Sequence, residues 1–281
     1  MPRPKRQPNA KRDPKSTTKS VRYHNRVAKK YDDIYDDPFW RFHDDVTWQH
    51  VKPHLPVDLS ARCLDLGCGT GKWGLKLQKS GFATTFVDHS PGRVDEVRGK
   101  LDELGGRAVG CDAIVADIVE MPDVPSETYA LTLAMGDPIS ICSDPKKAAA
   151  EMFRCAVPGG IVIATADNQL SAAAAYVHRG DFGGLESLLK SSRTRWVTTD
   201  AAEQFELHTF TPSSLRRTFE GAGFDVLGVV GKTILPVRDI REQLADASVL
   251  RRLVKLEMSL AKDEGNAAAA GHLQIVARRP A

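Results

Sequence analysis

Apolar residues in this chain fall into short runs separated by longer amphipathic stretches. The runs Leu64–Leu66, Phe82–Val87, Ala113–Ala116, Tyr129–Met135, Ile161–Ala166, Phe224–Val230 and Gly271–Arg278 read as seven strands. Helical spacing predicts a helix from Lys72, a second at about 146–156 and a third from Thr211, where Thr211 offers a cap oxygen and Pro212 suits the first helical position. Leu215, Phe219 and Ala222 share one face of that third helix. Pro158-Gly159-Gly160 reads as a turn into the fifth strand. Strands alternating with helices imply an α/β, doubly wound, mostly parallel sheet covered on both faces.

Residues 168–210 and 232–270 exceed this alternation. The first holds the Ala172–Ala175 run, a helix near 183–190 and two short β-like stretches around Arg195–Val197 and Phe205–Thr209. In the second, Val249, Leu250, Leu253, Leu256 and Leu260 predict an apolar helical stripe that Ser248 caps and Gly265-Asn266 ends. Insertions at the carboxyl ends of strands sit over the ligand crevice of an open sheet.

The first strand ends in Asp65-Leu66-Gly67-Cys68-Gly69-Thr70-Gly71, with glycines at alternate positions. Such a turn lets the backbone approach a ligand, and the helix after it aims free N–H groups at a carboxylate or phosphate. Two registers are available. Gly69-x-Gly71-x-x-Gly74 fits a dinucleotide fingerprint but places Asp65 inside the strand, whereas Asp65-x-Gly67-x-Gly69-x-Gly71 leaves the acid at the strand's end. The second register resembles the nucleotide-binding motif of the class I S-adenosylmethionine-dependent methyltransferases. Asp88, at the end of the second strand, can accept both hydroxyls of a ribose, which supports a nucleoside cofactor without choosing between the two families.

The resemblance covers roughly residues 60–280 and implies a Rossmann-like sheet of seven strands with an antiparallel last strand and helical lid insertions. It also implies S-adenosyl-L-methionine as cofactor, with Asp65 on its amino group, Gly67, Gly69 and Gly71 on its methionine portion, and Asp88 on its ribose. Asp117 and Ile118 would take the adenine. Met135 ends the fourth strand at the edge of the reaction site. Residues 28–40 are similar to the helix and turn that close over the cofactor in many small-molecule methyltransferases; Tyr31 would face the cofactor, and Tyr35, Phe39 and Trp40 the acceptor. Where base-methylating relatives carry an Asn/Asp-Pro-Pro-aromatic tetrad, this chain has Asp137-Pro138-Ile139-Ser140. The departure counts against adenine-N6 methylation and leaves a small-molecule acceptor as the leading expectation. Asp137, Asp167, His178 and His208 are candidate bases, should the acceptor need to lose a proton. The alternatives are an RNA or protein methyltransferase, a non-catalytic S-adenosylmethionine-binding protein and, more distantly, a nicotinamide dehydrogenase.

Charge is uneven along the chain. Residues 1–30 hold eleven Lys/Arg and one acid, leaving 28 Lys/Arg against 35 acids in the remainder. Few apolar side chains and several prolines make residues 1–26 read as a basic disordered tail ahead of a methyltransferase domain at 27–281. The tail offers an electrostatic grip on nucleic acid, or serves only solubility. Five cysteines without paired spacing, and no secretory signal, imply reduced thiols in a cytoplasm. No apolar run approaches the ~20 residues that span a bilayer. The eight histidines have no close acidic or Cys partners along the chain, so no metal site is expected. The pattern leaves the oligomeric state open.

Overall fold

The computed structural model describes residues 14–34, 36–197 and 199–281. Helices α1 (Pro14–Val27), α2 (Tyr31–Ile34) and α3 (Pro38–Val51) precede β1 (Cys63–Leu66), α4 (Lys72–Lys79), β2 (Thr84–Asp88), α5 (Pro91–Leu104) and β3 (Asp112–Val115). Next come β4 (Tyr129–Ala134), α6 (Pro138–Ile141), α7 (Pro145–Cys155) and β5 (Ala156–Asp167). The first insertion holds α8 (Gln169–His178), α9 (Phe182–Ser191), β6 (Arg193–Trp196) and β7 (Phe205–His208). After α10 (Pro212–Glu220) and β8 (Asp225–Lys232), the second insertion holds α11 (Arg241–Leu244) and α12 (Ala247–Leu260), and β9 (His272–Arg278) completes the chain's secondary structure.

Seven strands form one sheet in the order β3-β2-β1-β4-β5-β9-β8, with β9 antiparallel to both neighbours. Successive side chains alternate between two apolar layers. Leu64, Leu66, Val162 and Ala164 join a cluster with Met152 and Phe219, while Cys63, Leu131, Leu133 and Ile163 join Trp73 and Leu77 on the other side. Both faces are therefore covered, which is why the strands read as apolar runs rather than as half-polar alternation.

Helix entries follow their cap chemistry. Ser90 accepts from the Arg93 N–H, Asp144 from those of Lys146 and Lys147, and Thr211 forms a capping box with Ser214. Pro158-Gly159-Gly160 is a bulge inside β5 rather than a turn before it. The β4–β5 register runs Tyr129↔Ala156 and then Leu131↔Ile161, so the intervening residues loop out while pairing resumes.

Two expectations need correction. Residues 14–26 are helical, not a disordered tail. Ser20, His24 and Val27 fall at helical spacing and are buried, and α1 packs on α5 and β7. That face carries serine and histidine in place of leucine, so its composition concealed it. Residues 1–13 lie outside the described residues.

The stripe on α12 is also rotated from the expected one. Leu250, Leu253 and Val254 pack with Phe39, Phe42, Val46, Val237 and Leu244, whereas Leu256 is 49% exposed and Leu260 36%. The cap is Asp246, not Ser248, and the helix ends at Leu260 rather than at Gly265-Asn266. Fully buried Glu257 accepts from the Ile234 and Leu235 N–H groups at 2.6 and 2.9 Å, and this contact turns the helix. Among the described residues no helix is long and apolar enough to cross a membrane.

Candidate active site

The carboxyl ends of β1 to β5 open on a cleft, and the antiparallel β9 begins at the same edge. Around β1 the cleft is built from backbone. Gly67 takes a φ of +62°, and a Cβ there would lie 2.6 Å from Pro138 Cβ. One step beneath, Gly74 sits so close to Phe86 that a Cβ would overlap the ring. The Asp65 carboxylate turns under the loop, where Oδ2 accepts from the Gly74 N–H at 2.7 Å. Burial, reinforced by Asp88, raises its carboxyl to about 7.

Asp88 fixes the neighbouring turn. Its oxygens accept from the Gly69 and Ser90 N–H groups, each at 2.9 Å. Arg93 Nη1 lies 3.8 Å from Oδ2, and the guanidinium covers the Tyr31 ring at 4.3 Å. Arg93 is buried, yet its Nε and Nη2 have no hydrogen-bond partner. Tyr31 is held over the loop by α2: Asp32 accepts from the Thr70 hydroxyl at 2.6 Å and from Lys100 at 2.7 Å. Tyr31, Gly67, Gly69, Asp88, Asp117, Ile118 and Met135 all wall this cleft.

Next to it lies a second cavity of about 770 Å³. His24, Tyr31, Trp40, His43, Gly136 and Ile141 wall both, so the two spaces are adjoining. Aromatic side chains from three regions enclose the second: Tyr23 from α1, Phe39 from α3, and Trp196 and Phe205 from the first insertion. The α1 face is tied to that insertion by a bidentate Arg26–Glu203 pair, both bonds 2.6 Å.

Ionisable groups line up across the strand ends between the two spaces. Asp167 on β5 pairs with His272 on β9, and His272 pairs on its other side with Lys232 on β8. Asp137 follows β4, in the left-handed region (φ 61°), its N–H bonded to Thr165 Oγ1 at 3.0 Å. His272 Nδ1 lies 2.8 Å from Asp137 Oδ2. One ligand atom from each of Asp137, Asp167 and His272 can be chosen so that all lie within 4.8 Å of one another. The nearby Lys232 ammonium, which acts on both carboxylates, opposes a cation there.

Their titrations diverge. Burial works against the Asp137 anion, but His272 beside it outweighs burial and holds the carboxyl well below its usual range. Burial, then the Asp137 charge, pushes Asp167 up to about 7. Burial lowers Lys232 to about 8, and burial and Lys232 push His43 down to about 3. Neutral His43 can then accept at Nε2 from Lys232 Nζ, 3.2 Å away, while Thr47 Oγ1 accepts at 3.3 Å.

Residues 63–160 match the methyltransferase domain family. A malonyl-[acyl-carrier protein] O-methyltransferase of Serratia marcescens is 30% identical over 102 residues, 36% of each chain, so this chain spans about a third of the curated relative it matches. Two solved structures share the fold at 16% identity. The putative methyltransferase in the Haloferax volcanii complex with the Trm112 activator has a TM-score of 0.60, covering 95% of this chain and 98% of that one. A SAM-dependent methyltransferase from Methanosarcina mazei has a TM-score of 0.58, covering 82% and 96%. Residues 63–160 thus carry the match to a methyltransferase domain, and the chain as a whole shares the fold of these solved structures.

The cleft has the chemistry to hold a nucleoside ligand. A strand-end carboxylate, close backbone and the unpartnered Arg93 nitrogens form a polar cradle. Not every expected residue reaches it. Asp65 and Gly71 are not part of the cleft wall: Asp65 bonds Gly74 through Oδ2 while its buried Oδ1 has no partner, and Gly71 is the left-handed N-cap of α4. His178 is exposed at the end of α8, and His208 sits on β7 outside both walls. Asp137, Asp167, Phe39 and Trp40 do line the second cavity, and Tyr35 lies outside the described residues.

Arg93, His43, Lys232 and His272 are not among the residues the sequence pattern points to. For Arg93 a signal existed, because a cation in the first turn of a helix opposes the helix dipole and needs another reason to be there. For His272 the signal was topological. An antiparallel last strand begins where its parallel neighbours end, so its first residue belongs to the same edge. Chain spacing gave His272 no acidic neighbour; the sheet register supplies Asp167, and the β4 turn supplies Asp137.

Proposed function

We propose that this protein transfers the methyl group of S-adenosylmethionine to a small molecule held in the aromatic second cavity. The observation that carries the proposal is the pair of adjoining spaces, one with the family's cofactor wall and the other enclosed by aromatic residues and both insertions. The cavity is within the range of small-molecule sites, roughly 300–1,000 Å³. Residues 168–210 and 232–270 serve here as the acceptor lid.

When bound, the cofactor supplies an electrophilic methyl on a sulfonium. Gly67 and Gly69 would admit its methionine portion, Asp88 with Arg93 its ribose, and Asp117 and Ile118 its adenine. Asp65 and Gly71 would act through the loop they shape. The chain's remaining task is to align the acceptor and exclude water, which Tyr31, Trp40 and Met135 are placed to do.

The test is transfer of a labelled methyl group to a broad panel of small acceptors, alongside calorimetric titration with S-adenosylhomocysteine. Cofactor binding with product on at least one small acceptor is expected. Cofactor binding with no product on any of them would sink the reading in favour of a non-catalytic binding protein. Product formed only on RNA or protein, and lost on deleting residues 1–13, would replace it with the basic-tail alternative.

A further inference from the structure

We propose that the row Asp137–Asp167–His272–Lys232 is a proton-accepting and oxyanion-holding centre, with Asp167 as the base, and that the acceptor is therefore a compound with an aromatic hydroxyl. This deepens the methyl-transfer reading and rests on it. Three geometric facts carry it. The four groups sit on consecutive strand ends in the sheet order β4-β5-β9-β8, two of the links being direct register pairs. Asp137, Asp167 and His272 face the aromatic cavity, while Lys232 faces the cofactor cleft, so the row bridges the place where the two spaces meet. Asp137 is committed to His272 through Oδ2, and its own backbone is pinned by Thr165.

The environment divides the labour. Two adjacent carboxylates with separated titrations are a usual sign of distinct acid–base roles. Asp137 stays ionised and holds His272 as imidazolium. Asp167, whose carboxyl titrates near neutrality, can take a proton and return it to solvent. The charged or titratable groups acting on Asp167 are Asp137 after β4, His272 on β9 and Lys232 on β8.

In the step itself the acceptor O–H bond breaks, its proton forms an O–H bond on Asp167, and the electron pair remains on the acceptor oxygen. The His272 and Lys232 cations offset the charge so created, and the oxygen becomes the nucleophile for the methyl group. An aromatic hydroxyl fits best. Its acidity lies within reach of a carboxylate raised to about 7 and assisted by two cations, whereas an aliphatic hydroxyl's does not. The ring finds Tyr31, Phe39, Trp40, Trp196 and Phe205 around it.

The probe is 4-nitrophenol, whose absorbance reports its own ionisation, titrated into the full chain with S-adenosylhomocysteine and a chelator present. Bound probe is expected to show the phenolate band below its free pKa, with the ratio of ionised to neutral probe raised about tenfold or more over free probe. Lys232→Met should abolish that rise, whereas Asp167→Asn should keep it, because losing a carboxylate does not oppose a phenolate, and should instead slow methylation of unsubstituted phenol about tenfold or more while leaving S-adenosylhomocysteine affinity unchanged. Asp167→Glu should restore part of that rate. Four results overturn the inference: no probe binding, a bound probe that stays neutral, a phenol methylation rate untouched by Asp167→Asn, or ionisation that needs an added divalent cation. Loss of S-adenosylhomocysteine binding in the unaltered protein would instead defeat the methyl-transfer reading. A chain that binds it and methylates only amines or thiols would keep that reading and refute this one.

Discussion

The two halves of the sheet's carboxyl edge are built from different materials. On the β3-β2-β1 side the cleft is mostly backbone and locally bonded carboxylates, with Asp88 and Asp65 each accepting from N–H groups within twenty residues of themselves. On the β5-β9-β8 side it is mostly side chains, gathered from positions as distant as His43 and His272. A wall of backbone and glycine is rigid and tolerates little change. A wall of paired charges is costly to bury and sensitive to pH.

Breaking the backbone side should have the largest effect. Gly74→Ala forces a methyl into the Phe86 ring and toward Asp65, which should destabilise the fold by about 3 kcal/mol. Thermal denaturation would show it, and an unchanged midpoint would mean that α4 can move aside. Asp88→Ala leaves the Gly69 and Ser90 N–H groups and Arg93 without their carboxylate, so S-adenosylhomocysteine binding should weaken by about 1–3 kcal/mol. Calorimetry checks this, and phenol ionisation in the other half should survive it.

The charged half should respond in the opposite direction. Lowering Lys232 from 10.5 to about 8 in a fully buried site corresponds to about 3 kcal/mol of lost stability at neutral pH. Its two bonds, to His43 and Thr47, return about 1 kcal/mol each. Lys232→Met should therefore be about 1 kcal/mol more stable at pH 7 and lose phenol ionisation, a gain in folding at the expense of function. The unaltered protein binds fewer protons folded than unfolded between about pH 8 and 10.5, so its stability should rise across that window, and the variant's should not. Equal midpoints for the unaltered protein in denaturant titrations at pH 8 and pH 10.5 would contradict the buried-amine account.

The smallest effect belongs to the ion pair. Asp137 is depressed, so its contribution is present above about pH 3.8 and fades as pH falls through the lowered value. His272 is raised, so its contribution is full below about 6.5 and fades as pH rises through the raised value. Asp137→Asn should thus cost most between about pH 4 and 6.5, on the order of 1 kcal/mol, and less at pH 9. An imidazole NMR titration should show the His272 midpoint falling in the variant.

The same contrast explains what could be read from the chain. Gly67, Gly69 and Asp88 are legible because their partners are neighbours in sequence, and the strand runs are legible because both faces are apolar. His272, Lys232 and His43 become partners only through the register of β9 with β5 and β8 and the placement of α3, which no local pattern encodes. Asp65 is legible as a strand-end acid, whereas its inward turn toward Gly74 is not. The face of α12 failed because a buried Glu257 outranked two leucines.

The Arg26–Glu203 pair joins the helix whose Ser20 and His24 border one space to the insertion whose Trp196 and Phe205 border the other. One latch therefore spans two rooms. A change at Arg26 or Glu203 bears on the walls of both spaces at once.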